Sequence, residues 1–232
     1  GNVSLYNETR LPDGTMQPIH PTPVVGMVGL VHDLDQVTGL AWREPGDAIW
    51  LLGAPLEAGA AGPDVRVSLA GSSYLERIHG AVTGRPPEID LELERSVQAF
   101  LRHAITAGLV RSAHDLSDGG LAVAAAEACL ASGLGAQLEL PACGVRLDRL
   151  LFAEGGARVL LSVAPQAQDA WRDLVAASGV SAAPLGLVSA DPQLQIHQSG
   201  AVLLQLAVEA MGQAYEQAIP RRLAQAGPPP DH

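Results

Sequence analysis

The stretch HDLSDGG, residues 114–120, gathers one imidazole, two carboxylates, a hydroxyl and a glycine pair just before an apolar helical run, LAVAAAEACLA. Asp115 and Asp118 are hard oxygen donors of the kind that hold Mg²⁺. That ion usually takes one or two carboxylates and completes its shell with phosphate oxygens and water. Ser117 can bond a phosphate or cap the helix, and Gly119 and Gly120 let the backbone approach a ligand closely. The same residues also read as an ordinary helix start. There Ser117 or Asp118 satisfies free N–H groups and His114 is a turn residue. Both readings stand on local grounds. A hydrolase elbow is excluded, because no Gly-x-Ser-x-Gly frame is present.

A second polar cluster, GNVSLYNE, opens the chain with Asn2, Ser4, Asn7 and Glu8. On a strand, alternation puts Asn2 and Ser4 on one face. An asparagine carbonyl can ligate a cation and a serine hydroxyl can donate to a phosphate. A polar strand end explains the same residues.

Composition narrows the partners. The chain has 232 residues, 47% of them hydrophobic but only 3% aromatic, so its core is built from Ala, Val and Leu. Base-stacking platforms for single strands are not expected. The net charge of −11 repels a phosphate backbone and argues against DNA or RNA. It leaves nucleotides open, which Mg²⁺ and backbone N–H groups can hold. Cys129 and Cys143 make neither a disulfide framework nor a zinc spacing, and a reducing cytoplasm fits. Cys129, inside an Ala-rich helical pattern, reads as core. No apolar run is long enough to span a bilayer, and no signal peptide is legible. The start, without Met and directly on a polar cluster, reads as the continuation of a longer chain.

These groups need a frame. PVVGMVGLV (23–31) reads as a buried strand, VTGLAW (37–42) as a shorter one and AIWLLGAP (48–55) as a strong one. Residues 11–23 read as loop, with LPDGT a turn signal. A short helix starts at Ser72 or Ser73 and stops at Gly80. A longer one spans 90–107, with Asp90 as N-cap and Gly108 beyond its end. The strand VRSAHDL precedes the helix at 119–132. Strands are expected at AQLEL, ARVLLSVAP, APLGLVS and LQIHQS, and helices at RLDRLLFAE and PQAQDAWRDLVAAS. Residues 202–225 read as one long closing helix with a break near Pro220, before a disordered tail. Helices alternate with strands, so the class is α/β or α+β. The favoured domain boundary lies in REPGD, giving 1–44, 45–219 and a tail at 220–232.

The segments GNVSLYNET, IHPTPVVGMVGLVHD, GSSYLERIHG, PPEIDLELE and SAHDLSDGGLAVAAAEA, in that order, resemble the C-terminal part of phosphoribosylformylglycinamidine synthase. Within that family the sequence is similar to the large (PurL-type) subunit of the multi-subunit bacterial form, from Gly1 to about residue 218. The resemblance implies an aminoimidazole ribonucleotide synthetase (PurM-like) fold. Its second C-type domain, a mixed sheet with packed helices, follows the end of an ATP-binding N-type α+β domain. It implies an ATP-dependent C–N ligase of purine biosynthesis, converting formylglycinamide ribonucleotide and glutamine-derived ammonia to formylglycinamidine ribonucleotide.

The resemblance also assigns roles. Gly1 matches an ATP contact, Asn2 an Mg²⁺ ligand and Ser4 a substrate contact, with ATP and Mg²⁺ as cofactors. Asp115 first, and Asp118 second, match an auxiliary Mg–nucleotide turn. The implied partners are the family's N-terminal half, a glutaminase subunit and a small accessory subunit, with no nucleic acid and no membrane. AEGGAR (153–158) keeps Glu154 but lacks the family's following Ser and Gln, so that stretch is not read as substrate-binding. The family's catalytic histidine and ATP-clamping lysine have no counterpart here, and no catalytic residue is assigned. His79 and His103, in helical patterns, read as surface or satisfied residues. A stand-alone Mg–nucleotide-binding module and a purely structural domain are the competing readings.

Overall fold

The turn signal LPDGT folds the chain back on itself. In the computed structural model, which describes residues 7–19, 25–56 and 65–226, β1 (Glu8–Arg10) pairs antiparallel with β2 (Met16–Pro18). Leu11 N–H donates to the Thr15 carbonyl across the turn, and Asp13 accepts from both the amide and the hydroxyl of Thr15. Gly14 takes the positive φ (87°) that the reversal needs. The loop expected over 11–23 is therefore in part a short hairpin.

The chain divides into two units, residues 1–35 and 36–232. Of the buried strand expected over 23–31, the described residues 25–31 have no regular element, and Met27 and Val28 are fully exposed. An apolar run becomes a buried strand only with a ladder partner and a covered face, and no described residue pairs with it. VTGLAW is not a strand either. Its Gly39 carbonyl accepts from Ala113 N–H, and Trp42 inserts into the core of the second unit.

The second unit is a seven-stranded mixed sheet of β3 (Ala48–Gly53), β4 (Ser112–Asp115), β5 (Gly135–Leu140), β6 (Arg158–Val163), β7 (Ala182–Ser189), β8 (Gln193–Gln198) and β9 (Ala201–Ala207). The spatial order is β4-β6-β3-β7-β5-β8-β9, antiparallel throughout except for β5 beside β8. The helices are α1 (Ser73–His79), α2 (Leu91–Thr106), α3 (Gly120–Ser132), α4 (Leu147–Phe152), α5 (Gln168–Ser178), α6 (Val208–Glu216) and α7 (Ala218–Ala226).

Alternation along the central strand separates two cores. Ile49 and Leu51 of β3 pack with residues of α3 and α4, while Trp50 and Leu52 pack with residues of α2 and α5. Because both faces of the sheet are covered, AIWLLG and RVLLSV carry apolar residues at successive positions instead of alternating. Trp171 of α5 is fully buried between Trp50 and Phe100, with ring centroids 5.9 and 5.4 Å away in edge-on geometry. Ser112 and Ser162, opposed in the β4–β6 ladder, satisfy each other at 2.6 Å.

The expected caps are present. Ser72 accepts from Leu75 N–H at the start of α1, and Gly80 closes that helix in the left-handed region. Asp90 accepts from Leu93 N–H at the start of α2, and Gly108 follows that helix with φ 71°. The long helix expected over 202–225 is corrected. Residues 201–207 are the edge strand β9, returned from β8 by a turn in which Ser199 and Gly200 both have positive φ. That turn pairs with the sheet's twist, and ladder bonds to β8 outweigh the helix propensity of AVLLQLA. Helix resumes as α6 and α7, the latter running through the start of the expected tail.

Candidate functional site

An open cleft of about 440 Å³ lies at one end of the sheet, where β4 runs into the HDLSDGG turn. Asp115, Ser117 and Asp118 line one side, Glu154 and Arg158 a second, and Glu94 and Gln98 of α2 a third. The turn is placed by the ladder. Asp115 sits opposite Val159, Leu116 N–H donates to the Arg158 carbonyl, and the Leu116 side chain is buried in the core. Asp115, Ser117 and Asp118 are then left exposed.

Ordinary capping of α3 is not what the turn does. The residue before the helix is Gly119, at φ 78°, and neither Ser117 nor Asp118 gives it a side-chain cap. The Ser117 hydroxyl donates instead to Asp115 Oδ2. The Gly119 N–H is taken by Glu154 Oε1 at 2.8 Å, and the same oxygen accepts from Ser73 N–H at 2.8 Å. Gly120 allows the close approach to the 151–153 segment: at φ 66°, a Cβ there would lie 2.6 Å from the Ala153 carbonyl oxygen.

A chain of polar contacts runs behind the cleft. His114 Nε2 is 2.7 Å from Glu127 Oε2 on α3, and Nδ1 is 3.4 Å from Asp115 Oδ1. The bond from Ser117, and then the neighbouring His114, hold the Asp115 carboxyl below the usual carboxylate range. Glu94 Oε2 accepts from Gln98 Nε2 at 3.2 Å. Arg158, 3% exposed, donates to the Ala153 carbonyl at 2.6 Å. Four carboxylates (Glu94, Asp115, Asp118 and Glu154) and the Arg158 guanidinium, which donates to the Ala153 carbonyl, therefore border the cleft.

This arrangement is not a nucleophile site. Ser117 donates to a carboxylate, and both nitrogens of His114 face carboxylates, so no imidazole stands beside the hydroxyl. It suits a cation. Among the described residues no three His, Cys, Asp or Glu converge as a ready cage. An ion such as Mg²⁺, which takes only one or two protein carboxylates, would find them in Asp115 and Asp118 on the shared open cleft.

Gly1, Asn2 and Ser4 lie outside the described residues. Asp115 and Asp118 border the same cleft. The AEGGAR stretch proves to border it too, which the sequence reading did not anticipate. Its signal was a second glycine-rich turn next to a second buried strand. Glu94 and Gln98 carried no signal, being polar residues on a helix. His79 and His103 are exposed, as expected. Cys129 is fully buried, accepts from Trp42 Nε1 at 3.4 Å, and has its thiol pushed up to about 11 by burial.

Comparison with known proteins places this geometry in a family. The family described as AIR synthase related protein, C-terminal domain, matches residues 44–198. The phosphoribosylformylglycinamidine synthase subunit PurL of Prochlorococcus marinus (strain MIT 9303) is 64% identical over 230 residues, covering 96% of this chain and 29% of that protein. The fold is similar to that of T. maritima PurL complexed with FGAR, at TM-score 0.62 and 17% identity, covering 77% of this chain and 30% of that one. T. maritima PurL complexed with ATP is similar at TM-score 0.57 and 16% identity, covering 77% and 27%. The chain thus spans about 29% of the length of the curated relative it matches at 64% identity. Among the described residues no helix is long and apolar enough to cross a membrane.

Proposed function

This chain belongs to the AIR synthase related protein family through its C-terminal domain, and from that membership we propose that it forms the C-terminal part of a phosphoribosylformylglycinamidine synthase. The 64% identity to a PurL subunit, sustained over 96% of the chain, carries the reading. The reaction is the ATP-dependent conversion of formylglycinamide ribonucleotide and ammonia to formylglycinamidine ribonucleotide. It takes place in the cytoplasm, with a glutaminase subunit and a small accessory subunit as partners. Of the residues 1–44 expected to end an ATP-binding N-type domain, those up to Asp35 keep that reading, while 36–44 group with the C-type domain of 45–219. Gly1 contacts ATP, Asn2 ligates Mg²⁺ and Ser4 contacts the substrate.

The 114–120 turn is an auxiliary site, with Asp115 and then Asp118 as ligands. The two aspartates would hold Mg²⁺, which would supply the positive charge that nucleotide phosphates need in an acidic cleft. Asp115 is pre-set for the role. Ser117 and His114 fix its carboxylate and favour its charged form.

The 232 residues alone are expected to be inactive, because a synthase site needs its groups assembled in one geometry. The test mixes this chain with the remaining portion of a PurL relative and supplies ATP, Mg²⁺, the formylglycinamide ribonucleotide and ammonium. Product formed by the pair and by neither half alone supports the reading. An inactive pair that nonetheless associates overturns it. In the active pair Asn2→Ala lowers turnover strongly, and near-normal turnover removes Asn2 as a metal ligand.

A further inference from the structure

Two backbone N–H groups from different parts of the chain end on one side-chain oxygen. Ser73 N–H, at the first residue of α1, and Gly119 N–H, just ahead of α3, both donate to Glu154 Oε1 at 2.8 Å. The carboxylate is not brought there by a loose tether. Glu154 exchanges backbone hydrogen bonds with Ser68 in both directions, at 2.8 and 2.9 Å. The following Gly155 runs so close to the Arg66 carbonyl that a side chain would collide with it. Three segments, 66–73, 115–120 and 153–158, are therefore joined at one half-buried carboxylate.

Backbone N–H groups at helix starts attract negative oxygen, and two that converge make a seat for a carboxylate or a phosphate oxygen. Here the chain fills the seat itself. We infer that Glu154 is the protein's own occupant of an anion seat between α1 and the 115–120 turn. It clasps the two together and denies that end of the cleft to small free anions. Of the other charged residues on the border, Glu94, Asp115 and Asp118 are acidic against the single Arg158, so the cleft favours an anionic group that brings a cation with it. This clasp is independent of the synthase reading, and its test uses neither nucleotide nor metal.

Thermal unfolding of the full 232-residue chain is followed for the wild type, Glu154→Ala and Glu154→Gln in formate, acetate, phosphate or chloride at matched ionic strength. Loss of two charge-assisted bonds lowers the melting temperature of Glu154→Ala by roughly 5–10 °C. Formate or acetate at about 100 mM then restores several degrees more than chloride does, by refilling the seat. The wild type gains nothing above chloride. Neither does Glu154→Gln, whose amide oxygen still accepts both bonds. The inference is overturned if Glu154→Ala answers formate no better than the wild type does, or if phosphate stabilises the wild type as much as the alanine variant. Should Glu154→Ala not fold, amide proton shifts decide. In the wild type and Glu154→Gln, the Ser73 and Gly119 amides must move upfield together when the charged acceptor becomes neutral. If either stays in place, the shared-oxygen clasp is wrong.

Discussion

The imidazole of His114, at the end of β4, stands 2.7 Å from the carboxylate of Glu127, two turns into α3. The contact ties the strand that enters the HDLSDGG turn to the helix that leaves it. The His114 side chain is 16% exposed and that of Glu127 is 38%, so water screens the pair only in part. A double-mutant cycle with His114→Ala and Glu127→Ala is expected to give a coupling of about 1 kcal/mol. Denaturant midpoints of the four proteins measure it. A coupling near zero would leave the turn fixed by its backbone alone.

Gly120 and Gly133 both have positive φ, 66° and 73°, but only Gly120 is crowded. A Cβ at Gly133 meets nothing within 4 Å, while one at Gly120 meets the Ala153 and Phe152 backbone. Gly133→Ala is expected to cost about 1 kcal/mol from backbone conformation alone. Gly120→Ala should cost roughly 3 kcal/mol or more, because the 151–153 segment must also move. Equal losses in chemical denaturation would mean that the two segments are not held in close contact.

Asp47 is fully buried, and burial pushes its carboxyl above the usual range; the Arg111 guanidinium at 3.3 Å opposes the shift without cancelling it. The folded state therefore holds this proton to higher pH than the unfolded chain does. Asp47 stabilises the fold below the ordinary aspartate pKa, and that contribution is lost as pH rises through the folded value. Asp47→Asn keeps the shape and removes the titration. Its melting temperature relative to wild type should climb with pH from about 4 and then level off. A difference that is flat with pH would show that Asp47 titrates alike in both states.

The two cysteines should react differently with a thiol reagent. Cys129 is buried and its thiol is pushed up to about 11, whereas Cys143 is half-buried. At pH 8 the native chain is expected to give one labelled thiol, at Cys143, and a second only on unfolding. Labelling of Cys129 at a comparable rate would point to local opening of α3.

Removal of Asp115 tests the auxiliary site. Asp115→Asn keeps the size of the side chain but halves the acid available to Mg²⁺ in the turn. Titration calorimetry with Mg–ADP should show at least a tenfold loss of affinity, about 1.4 kcal/mol. An unchanged affinity would move the metal away from this turn.

Much of the fold was legible because its elements are local or buried on both sides. AIWLLG and the VLL of RVLLSV announce sandwiched strands by their successive apolar residues, and Ser72, Asp90, Gly80 and Gly108 mark helix ends by residue type. AVLLQLA misled because Leu, Ala and Gln favour helix, and only its ladder with β8 makes it a strand. PVVGMVGLV misled in the opposite sense, since strand formation needs a neighbour that no local pattern reports. The site was half legible. Asp115 and Asp118 stand out as a motif, but the Glu154 contacts span 35 and 81 residues, a separation that spacing cannot express.

The central strand has a further consequence, for the order of events during synthesis. β3 precedes its two ladder partners by long stretches of chain, β6 following roughly 105 and β7 roughly 130 residues later. At ribosomal speed the apolar run Ile49–Leu52 waits on the order of 7–30 s until both neighbours that cover its edges have been made. Over that interval it is an uncapped, aggregation-prone segment. Until Ser189 has been made, β3 lacks the second of its two neighbours, and truncation before β7 leaves the sheet without its middle strand.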